Sequence, residues 1–426
     1  MIGLRRASVW LIAWSSLALG AEGQSSTSIT FNNFNRAKTY IYDKATSEWE
    51  DAAGHRVKIS RRLIVKTTPD MGAESLLKIT PYLREPVLLY QSTSFRYYAL
   101  KIQNTKLQSQ LDDLTLHKEV LLVQPDILQR RLSNSNSSSK PSSLSDHQYQ
   151  DYLTQTGLRS MLRNHRGSGI KVAVIDDGFF LGHEALSKAK RLTSLDVEEL
   201  SVISGDVSNG GMHGTMVASI LFGESEEVEG IVPEASWIPI RQVTNWTSRS
   251  LLAYQHAKSQ GADVINCSWT SPWLLEPMYD VVHDLAHHGR KGKGTVIVFS
   301  AGNKGVRIGP ADNEASISEA VIVGAHDHRN QKLKRSNWGP SVDLYAYGGV
   351  AKAAAAEGGY TYLTATSLSA AIVSGIAAIL LSEQPGMTAF EVEKRLKSLF
   401  VSDALFVLDK DKGSNSYGYS DLPKIQ

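Results

Sequence analysis

The sequence predicts an α/β protein: a doubly wound, mostly parallel β-sheet with helices on both faces, preceded by a small α+β domain. Short apolar runs recur at residues 172–175, 237–238, 264–265, 296–299 and 321–323. They are nearly continuous rather than alternating, which is typical of strands buried on both faces of a parallel sheet. Helical segments separate the runs, and this alternation of strands with helices favours a doubly wound domain.

The helical segments carry recognisable end signals. Residues 250–260 are predicted to form a helix that ends at Gly261, because glycine is favoured just beyond a helix C-terminus.

We assign residues 150–426 to one domain, a length that allows a sizeable core. In such sheets we expect functional side chains at the carboxyl ends of the strands.

A smaller domain is predicted at residues 24–131, with its core at about 60–126. Strand-like and helical segments follow the order βαββαβ there, which predicts a small ferredoxin-like domain. Residues 24–55 are polar and give no clear assignment. The strand-like runs are 62–66, 87–90, 97–102 and 120–123, and the helical segments lie at 72–83 and around Leu107, Leu111 and Leu114.

The N-terminus has the features of a secretory signal peptide. Arg5 and Arg6 precede a short apolar core at residues 9–19, and small residues follow it. We therefore expect residues 1–23 to be a signal peptide and the protein to be secreted or periplasmic; an N-terminal anchor is the alternative. The apolar core is too short to span a bilayer as a stable helix, and we expect no later stretch to be apolar enough to span one.

A serine-rich stretch separates the two domains. Residues 132–149 are polar and cannot bury a core, so we predict an exposed linker, the kind of segment that proteases cut. Arg130 and Arg131 form a candidate processing point just before it, although such pairs also occur on ordinary surfaces.

The composition argues against two classes of partner. The formal net charge is +2, which gives no electrostatic reason to expect binding to nucleic acid or to an anionic membrane. Cys267 is the only cysteine, so no disulfide can form within the chain. It lies in an apolar run, and we expect a small buried side chain.

Three stretches place an Asp, a His and a Ser where nucleophilic catalysis needs them. Asp176 follows the first apolar run (VAVIDDG), His213 opens a helical segment (HGTMVA), and Ser367 begins a long apolar helix. A serine hydroxyl is a weak nucleophile that needs an adjacent base, and the base needs an orienting carboxylate. Asn303 follows another strand, between glycines, and its amide can donate to an oxyanion. Free backbone N–H groups and the positive end of the helix dipole lie at the start of the Ser367 helix, and they would also stabilise the negative charge of the oxyanion.

Together these stretches resemble the subtilisin-like serine peptidases over about residues 150–400. The family's Asp-x-Gly, His-Gly-Thr-x-Val-Ala, Ala-Gly-Asn and Gly-Thr-Ser-x-Ala motifs correspond to stretches that begin at Asp176, His213, Ala301 and Ala365. The resemblance implies a serine endopeptidase that is made as a zymogen and cuts polypeptide substrates. Residues 24–131 resemble the family's prodomain, an intramolecular inhibitor that assists folding until it is cleaved.

The same resemblance assigns roles to individual residues. It implies that Ser367 is the nucleophile, His213 the base, Asp176 its orienting partner and Asn303 an oxyanion donor.

The resemblance also implies a substrate-binding segment. Ser268, Trp269 and Thr270 correspond to the strand that pairs with the substrate backbone, and Gly302 precedes the oxyanion residue. Thr270 replaces a glycine of the family and is expected to narrow the first specificity pocket. The Cys-Ser-Trp sequence at residues 267–269 and the Asp176–Asp177 pair are similar to those of the kexin branch. Residues 273–275, however, lack the acidic side chains of that branch, so we infer no dibasic specificity.

Two positions depart from the family pattern. Ala365 replaces a glycine, so a backbone angle open only to glycine would be strained there. Ala371 replaces a proline, which removes some pre-organisation from the first turn of the helix. Neither change touches a proton-transfer atom, and we expect activity. The alternatives are an inactive relative that binds a peptide or partner, and a protease that acts once on its own linker and keeps the prodomain as a lid.

We expect no cofactor for the chemistry and predict no metal-ligand set. Structural calcium is one interpretation of the acidic loop at residues 224–229, and a solvated charged loop is the other. His287 and His288 are adjacent, but no cysteine or carboxylate pattern accompanies them, so a metal site is not expected there.

Overall fold

The structure, a computed structural model, contains an N-terminal unit packed against a larger one. The predicted signal peptide and most of the predicted linker lie outside the residues it describes. Those residues are 28–103, 106–130, 132–133, 152–155, 159, 165–203, 213–310, 312–356 and 358–400.

The N-terminal unit is an antiparallel sheet with two helices. Its elements are β1 (Ser28–Asn33), β2 (Arg36–Asp43), β3 (Glu48–Asp51), β4 (Arg56–Thr67), α1 (Ala73–Ile79), β5 (Leu83–Gln91), β6 (Arg96–Ile102), α2 (Leu107–Thr115) and β7 (Val120–Gln129). From β4 onward the order is βαββαβ, and the strands lie in the spatial order β7-β4-β6-β5. Strands β1 to β3 form a meander that pairs with the start of β4.

The larger unit is built on a mostly parallel sheet, which confirms the predicted α/β architecture. Its strands are β9 (Lys171–Asp176), β10 (Lys190–Arg191), β11 (Leu195–Asp196), β12 (Ser201–Val202), β13 (Ser236–Arg241), β14 (Asn245–Trp246), β15 (Val264–Cys267), β16 (Trp269–Thr270), β17 (Val296–Ser300), β18 (Val321–His326), β19 (Leu344–Tyr347), β20 (Ala351–Ala354) and β21 (Tyr360–Leu363), and β8 (Leu132–Ser133) precedes them. The main sheet has the order β12-β11-β13-β9-β15-β17-β18-β19. Along this order, neighbouring strands are parallel except for β11 and β12.

Helices cover both faces of this sheet. They are α3 (Tyr152–Gln155), α4 (His213–Phe222), α5 (Thr247–Gln260), α6 (Glu276–Gly292), α7 (Ala365–Glu383) and α8 (Ala389–Leu399). Val172 and Val174 of β9 belong to the apolar cluster of α4 and α7, whereas Ala173 and Ile175 belong to that of α5 and α6. Successive strand residues point to opposite faces, so the continuous apolar runs supply both clusters.

Helix α7 is apolar all round and forms the centre of its layer. Among the described residues it is the one helix long and apolar enough to cross a membrane, yet nearly all of it is buried in the protein. This corrects the expectation that no segment beyond the N-terminus has such a composition. The burial identifies α7 as a core helix.

The N-terminal unit packs on α5 and α6. Its Tyr90 Oη donates a hydrogen bond of 2.6 Å to Asp284 Oδ2 on α6. Asp126 accepts hydrogen bonds from Ser248 N at 3.0 Å and Ser248 Oγ at 2.8 Å, at the first turn of α5. Burial raises the pKa of the Asp126 carboxyl. The contact between the units is therefore polar as well as apolar.

Cys267 is the last residue of β15 and is fully buried, as predicted. Its Sγ lies 3.2 Å from Tyr254 Oη on α5. It therefore belongs to the interior between the sheet and α5.

Candidate active site

Asp176 and His213 meet at the carboxyl edge of the main sheet. Asp176 is the last residue of β9, His213 is the first residue of α4, and both are buried. His213 Nδ1 lies 3.0 Å from Oδ1 and 3.0 Å from Oδ2 of Asp176. A carboxylate so placed accepts the Nδ1 proton, which makes Nε2 the basic nitrogen of the neutral ring. The pair therefore offers a base whose orientation is set by an acid.

A glycine and a second aspartate let α4 begin this close to β9. A Cβ atom at Gly214 would lie 2.5 Å from Gly178 O and 2.9 Å from Asp176 Cβ, so a larger residue would clash. Asp177 Oδ1 accepts a hydrogen bond of 3.2 Å from Gly214 N, and Asp177 N donates one of 2.8 Å to Asp176 Oδ1. The Asp-Asp-Gly and His-Gly sequences thus position the pair.

Ser367 is the third residue of α7, and only 1% of it is exposed. Helix α7 packs against α4, so Ser367 and His213 lie in the first turns of two neighbouring helices. The Ser367 hydroxyl makes no hydrogen bond to the part of the chain that the structure describes. Catalytic hydrogen bonds are often long in substrate-free enzymes and tighten when substrate binds.

Ala365 adopts a left-handed backbone conformation, with a φ of 65°. The neighbouring loop fixes it, because Ala365 N donates a hydrogen bond of 2.7 Å to Gly348 O. The loop approaches so closely that a Cβ atom at Gly348 would lie 2.8 Å from Ala365 O. The strain expected from the departure at this position is therefore present. Ala371, the second departure, is the seventh residue of α7 and is buried in its second turn, so the expectation that it lies in the first turn was wrong, because the helix already begins at Ala365.

Asn303 follows β17 and is joined to the start of α7. Its Oδ1 accepts hydrogen bonds from Thr366 N at 3.2 Å and from Thr366 Oγ1 at 2.7 Å. Because both partners are donors, the amide oxygen must face Thr366, which leaves Nδ2 as the donor for another acceptor. Gly302, just before it, has a φ of 99°, which a residue with a side chain rarely adopts.

Asn337, which was not among the predicted site residues, holds this loop in place. Its Oδ1 accepts hydrogen bonds of 3.1 Å from both Lys304 N and Val306 N. Its Nδ2 donates one of 2.8 Å to Ala301 O, and a Cβ atom at Gly302 would lie 2.6 Å from the same Nδ2. Asn337 lies outside every motif that carries the resemblance, so one sequence offers no signal for it.

The segment after β15 is buried and tied to the pair at the sheet edge. Ser268, Trp269 and Thr270 all lie in the interior. Trp269 Nε1 donates a hydrogen bond of 2.9 Å to Ile175 O, beside Asp176. Trp269, one of the predicted substrate-binding residues, is therefore bonded to the end of the strand that carries Asp176.

The chain that leaves the N-terminal unit runs along two short strands beside the site. The end of β7 pairs antiparallel with β14, and β8 pairs antiparallel with β16. Strands β14 and β16 follow the carboxyl ends of β13 and β15. This is strand addition, the mode in which an extended peptide pairs with an exposed sheet edge.

Comparison with known proteins points to one family. The sequence model of the subtilase family (Peptidase_S8) matches residues 167–420. Subtilisin DY from Bacillus licheniformis is 29% identical over 247 residues, which are 55% of this chain and 85% of that protein. Subtilisin E from Bacillus subtilis is 28% identical over 244 residues, 55% of this chain and 61% of that protein. A calcium-dependent protease from Trichormus variabilis is 31% identical over 195 residues, 41% of this chain and 29% of that protein.

Two solved structures extend the likeness beyond the larger unit. Fervidolysin from Fervidobacterium pennivorans, a keratinolytic enzyme related to subtilisin, has a TM-score of 0.62 at 19% identity, over 79% of this chain and 57% of its own. The epidermin leader peptide processing serine protease from Staphylococcus aureus has a TM-score of 0.57 at 18% identity, over 80% of this chain and 91% of its own. At these identities the likeness concerns the fold.

Proposed function

Since this chain belongs to the subtilase family of serine peptidases, we propose that it is a secreted endopeptidase, made as a zymogen, that works through Asp176, His213 and Ser367. The observation that carries the proposal is the buried pair in which His213 Nδ1 lies 3.0 Å from both carboxylate oxygens of Asp176. A pair of this kind turns a neighbouring hydroxyl into a nucleophile.

In the proposed reaction, Ser367 Oγ attacks the scissile carbonyl while His213 Nε2 accepts its proton. The imidazolium then donates that proton to the leaving amine, and Asp176 stabilises the charged ring throughout. Water then attacks the acyl-enzyme carbonyl, with His213 again acting as the base, and the acid product leaves as Ser367 Oγ regains its proton from His213. No cofactor takes part in these steps.

The negative charge on the carbonyl oxygen needs donors that are already in place. We assign this role to Asn303 Nδ2 and to the backbone N–H of Ser367, which lies in the first turn of α7. The two hydrogen bonds from Thr366 to Asn303 Oδ1 support the assignment, because they hold the amide in one orientation.

The proposed zymogen consists of a signal peptide (1–23), a prodomain (24–131), a linker (132–149) and a catalytic domain (150–426). The antiparallel order β7-β4-β6-β5 supports a ferredoxin-like prodomain. The pairing of β8 with β16 supports inhibition by the chain itself, because the exit strand occupies an edge that a peptide substrate needs.

Substrates are proposed to be polypeptides that pair with the segment Ser268, Trp269 and Thr270, beside Gly302. Thr270 is 2% exposed, and its buried side chain favours a narrow first pocket. Structural calcium stays a prediction, and no step depends on it.

A retained prodomain is the second candidate, favoured by the buried contacts between the two units. Tyr90 and Asp126 both bind helices of the larger unit through short hydrogen bonds. On this hypothesis the enzyme cuts its own linker once and stays inhibited.

The experiment combines a fluorophosphonate probe with N-terminal sequencing of the purified protein. If the protein is an endopeptidase released from its prodomain, it is expected to react with the probe at Ser367, and the N-terminus of the mature chain should lie between about residues 130 and 150. Ser367→Ala should abolish both probe labelling and peptide hydrolysis. Ser382→Ala is the matched control, because Ser382 lies at the far end of α7, where its Oγ donates a hydrogen bond of 2.7 Å to Ile379 O. Hydrolysis that persists in Ser367→Ala rejects the mechanism, and an inactive chain that retains its prodomain supports the second candidate.

A further inference from the structure

Two histidines and a glutamate converge on the side of the molecule away from the Asp176–His213 pair. His283 and His287 lie one turn apart on α6, and Glu319 lies two residues before β18. One potential ligand atom from each residue lies within 4.8 Å of the others. Helix α6 packs on the sheet face opposite α4 and α7, so this cluster is separate from the proposed catalytic machinery.

We propose that His283, His287 and Glu319 form a surface site for a divalent transition metal ion, best suited to Zn²⁺. Imidazole nitrogen and carboxylate oxygen are the ligands that Zn²⁺ takes alongside thiolate, and three protein ligands leave a fourth position for water. Calcium prefers six or more oxygen ligands, which this set does not offer.

The geometry of α6 favours the two histidines as a chelating pair. Side chains at positions i and i+4 lie on one helix face with Cβ atoms about 5–6 Å apart, a spacing used by paired zinc histidines. The two rings already lie with their centroids 4.2 Å apart. Zinc bonds of about 2.0–2.1 Å place ligand atoms about 3.3 Å apart, and the exposed His287 can rotate to close the remaining gap.

Glu319 is held in position by its neighbours. Its Oε1 accepts a hydrogen bond of 3.1 Å from Tyr279 Oη, and its Oε2 accepts one of 2.8 Å from Ser318 Oγ. His283 Nδ1 lies 2.7 Å from Glu319 Oε1, so these two side chains are already in contact. Outer hydrogen bonds of this kind orient a metal-binding carboxylate.

No metal site was expected at His287, because the carboxylate that completes the cluster is remote in the sequence. Glu319 lies 36 positions from His283 and on another element, so no short motif contains both. A bound ion would join α6 to the segment before β18. Metal binding is therefore expected to stabilise the larger unit against unfolding.

The test measures Zn²⁺ binding to the full chain by isothermal titration calorimetry, in buffer with excess Ca²⁺ that occupies oxygen-rich sites. We expect one Zn²⁺ per chain and a higher Tm with Zn²⁺ than with Ca²⁺ alone. His287→Ala and Glu319→Gln should each weaken binding by at least about tenfold. Both residues lie near the surface, so neither change should prevent folding.

His288→Ala is the matched control. His288 is the next residue along, is 54% exposed and pairs with Asp284 instead. It should leave Zn²⁺ binding unchanged, and peptide hydrolysis should be the same in all three variants because the cluster lies away from Ser367. Absence of one-to-one binding, or an equal loss of Zn²⁺ binding in His288→Ala, would overturn the proposal.

Discussion

Replacing Ala365 by glycine should change the stability of the protein little, although the change removes a buried methyl group. Ala365 has a φ of 65°, and the hydrogen bond from its N–H to Gly348 O holds it there. A residue with a Cβ atom loses about 1–2 kcal/mol in this region. Glycine regains that energy but gives up about 0.5–1 kcal/mol through the greater freedom of its unfolded chain. The difference is a gain of about 0–1.5 kcal/mol, from which the loss of the buried methyl group subtracts about 0.8 kcal/mol, so we expect the free energy of unfolding to stay within about 1 kcal/mol of its value in the parent chain.

The measurement is urea unfolding of the Ser367→Ala chain with and without Ala365→Gly, so that self-cleavage does not interfere. Ala378→Gly on the same helix is the control, because Ala378 is buried but not among the residues with positive φ. There the same change should destabilise by about 1 kcal/mol or more. The reasoning is refuted if Ala365→Gly is as destabilising as Ala378→Gly, since the left-handed backbone would then carry no strain.

Three other predictions concern the oxyanion donor, the contact between the units and the acid range. Asn303→Asp keeps the acceptor for Thr366 but removes the donor, so kcat should fall by at least about 10²–10³ with little change in Tm; kcat within about threefold of the parent enzyme would contradict the assigned role. Tyr90→Phe removes a donor to Asp284, so urea unfolding monitored in the N-terminal unit should show a loss of about 1–3 kcal/mol; an unchanged midpoint would contradict it. Partial burial opposes ionisation of Asp51, but hydrogen bonds from His55 and Lys38 outweigh it and hold its pKa at about 2. Because folding lowers this pKa, the stability that Asp51 confers is present above the ordinary pKa of Asp and is lost as the pH falls toward about 2. The difference in free energy of unfolding between Asp51→Asn and the parent chain, measured by urea unfolding, should therefore shrink over that range. A difference that stays constant with pH would refute the assignment.

The sequence predicts best those features that a short continuous stretch encodes. The apolar run at 172–175 identifies β9, and Asp176 is the last residue of that strand, at the carboxyl edge where functional side chains are expected. His213 opens an apolar helix, so both residues were expected at the same edge of the sheet. In the structure His213 Nδ1 lies 3.0 Å from Asp176 Oδ1.

Features that depend on remote residues were not predictable from one sequence. Asn337 supports the Asn303 loop from a distant part of the sequence, because the two N–H groups that it binds belong to residues 33 and 31 positions earlier. Strands β1 and β2 were missed because few of their side chains, Ile29, Phe31 and Tyr40, are buried, so the polar majority dominates the pattern. Composition alone also cannot distinguish the core helix α7 from a membrane helix, because only the surrounding layers show what covers it.

The buried position of Cys267 allows local unfolding of the sheet centre to be measured through its thiol. It is the sole thiol of the sequence and has no exposed surface, so alkylation by iodoacetamide requires the centre of the sheet to separate from α5. The alkylation rate at neutral pH therefore measures how often that separation occurs, without any engineered label. Because Cys267 directly precedes Ser268, a tightly bound peptide should slow the reaction, and mass spectrometry of the intact chain can record it.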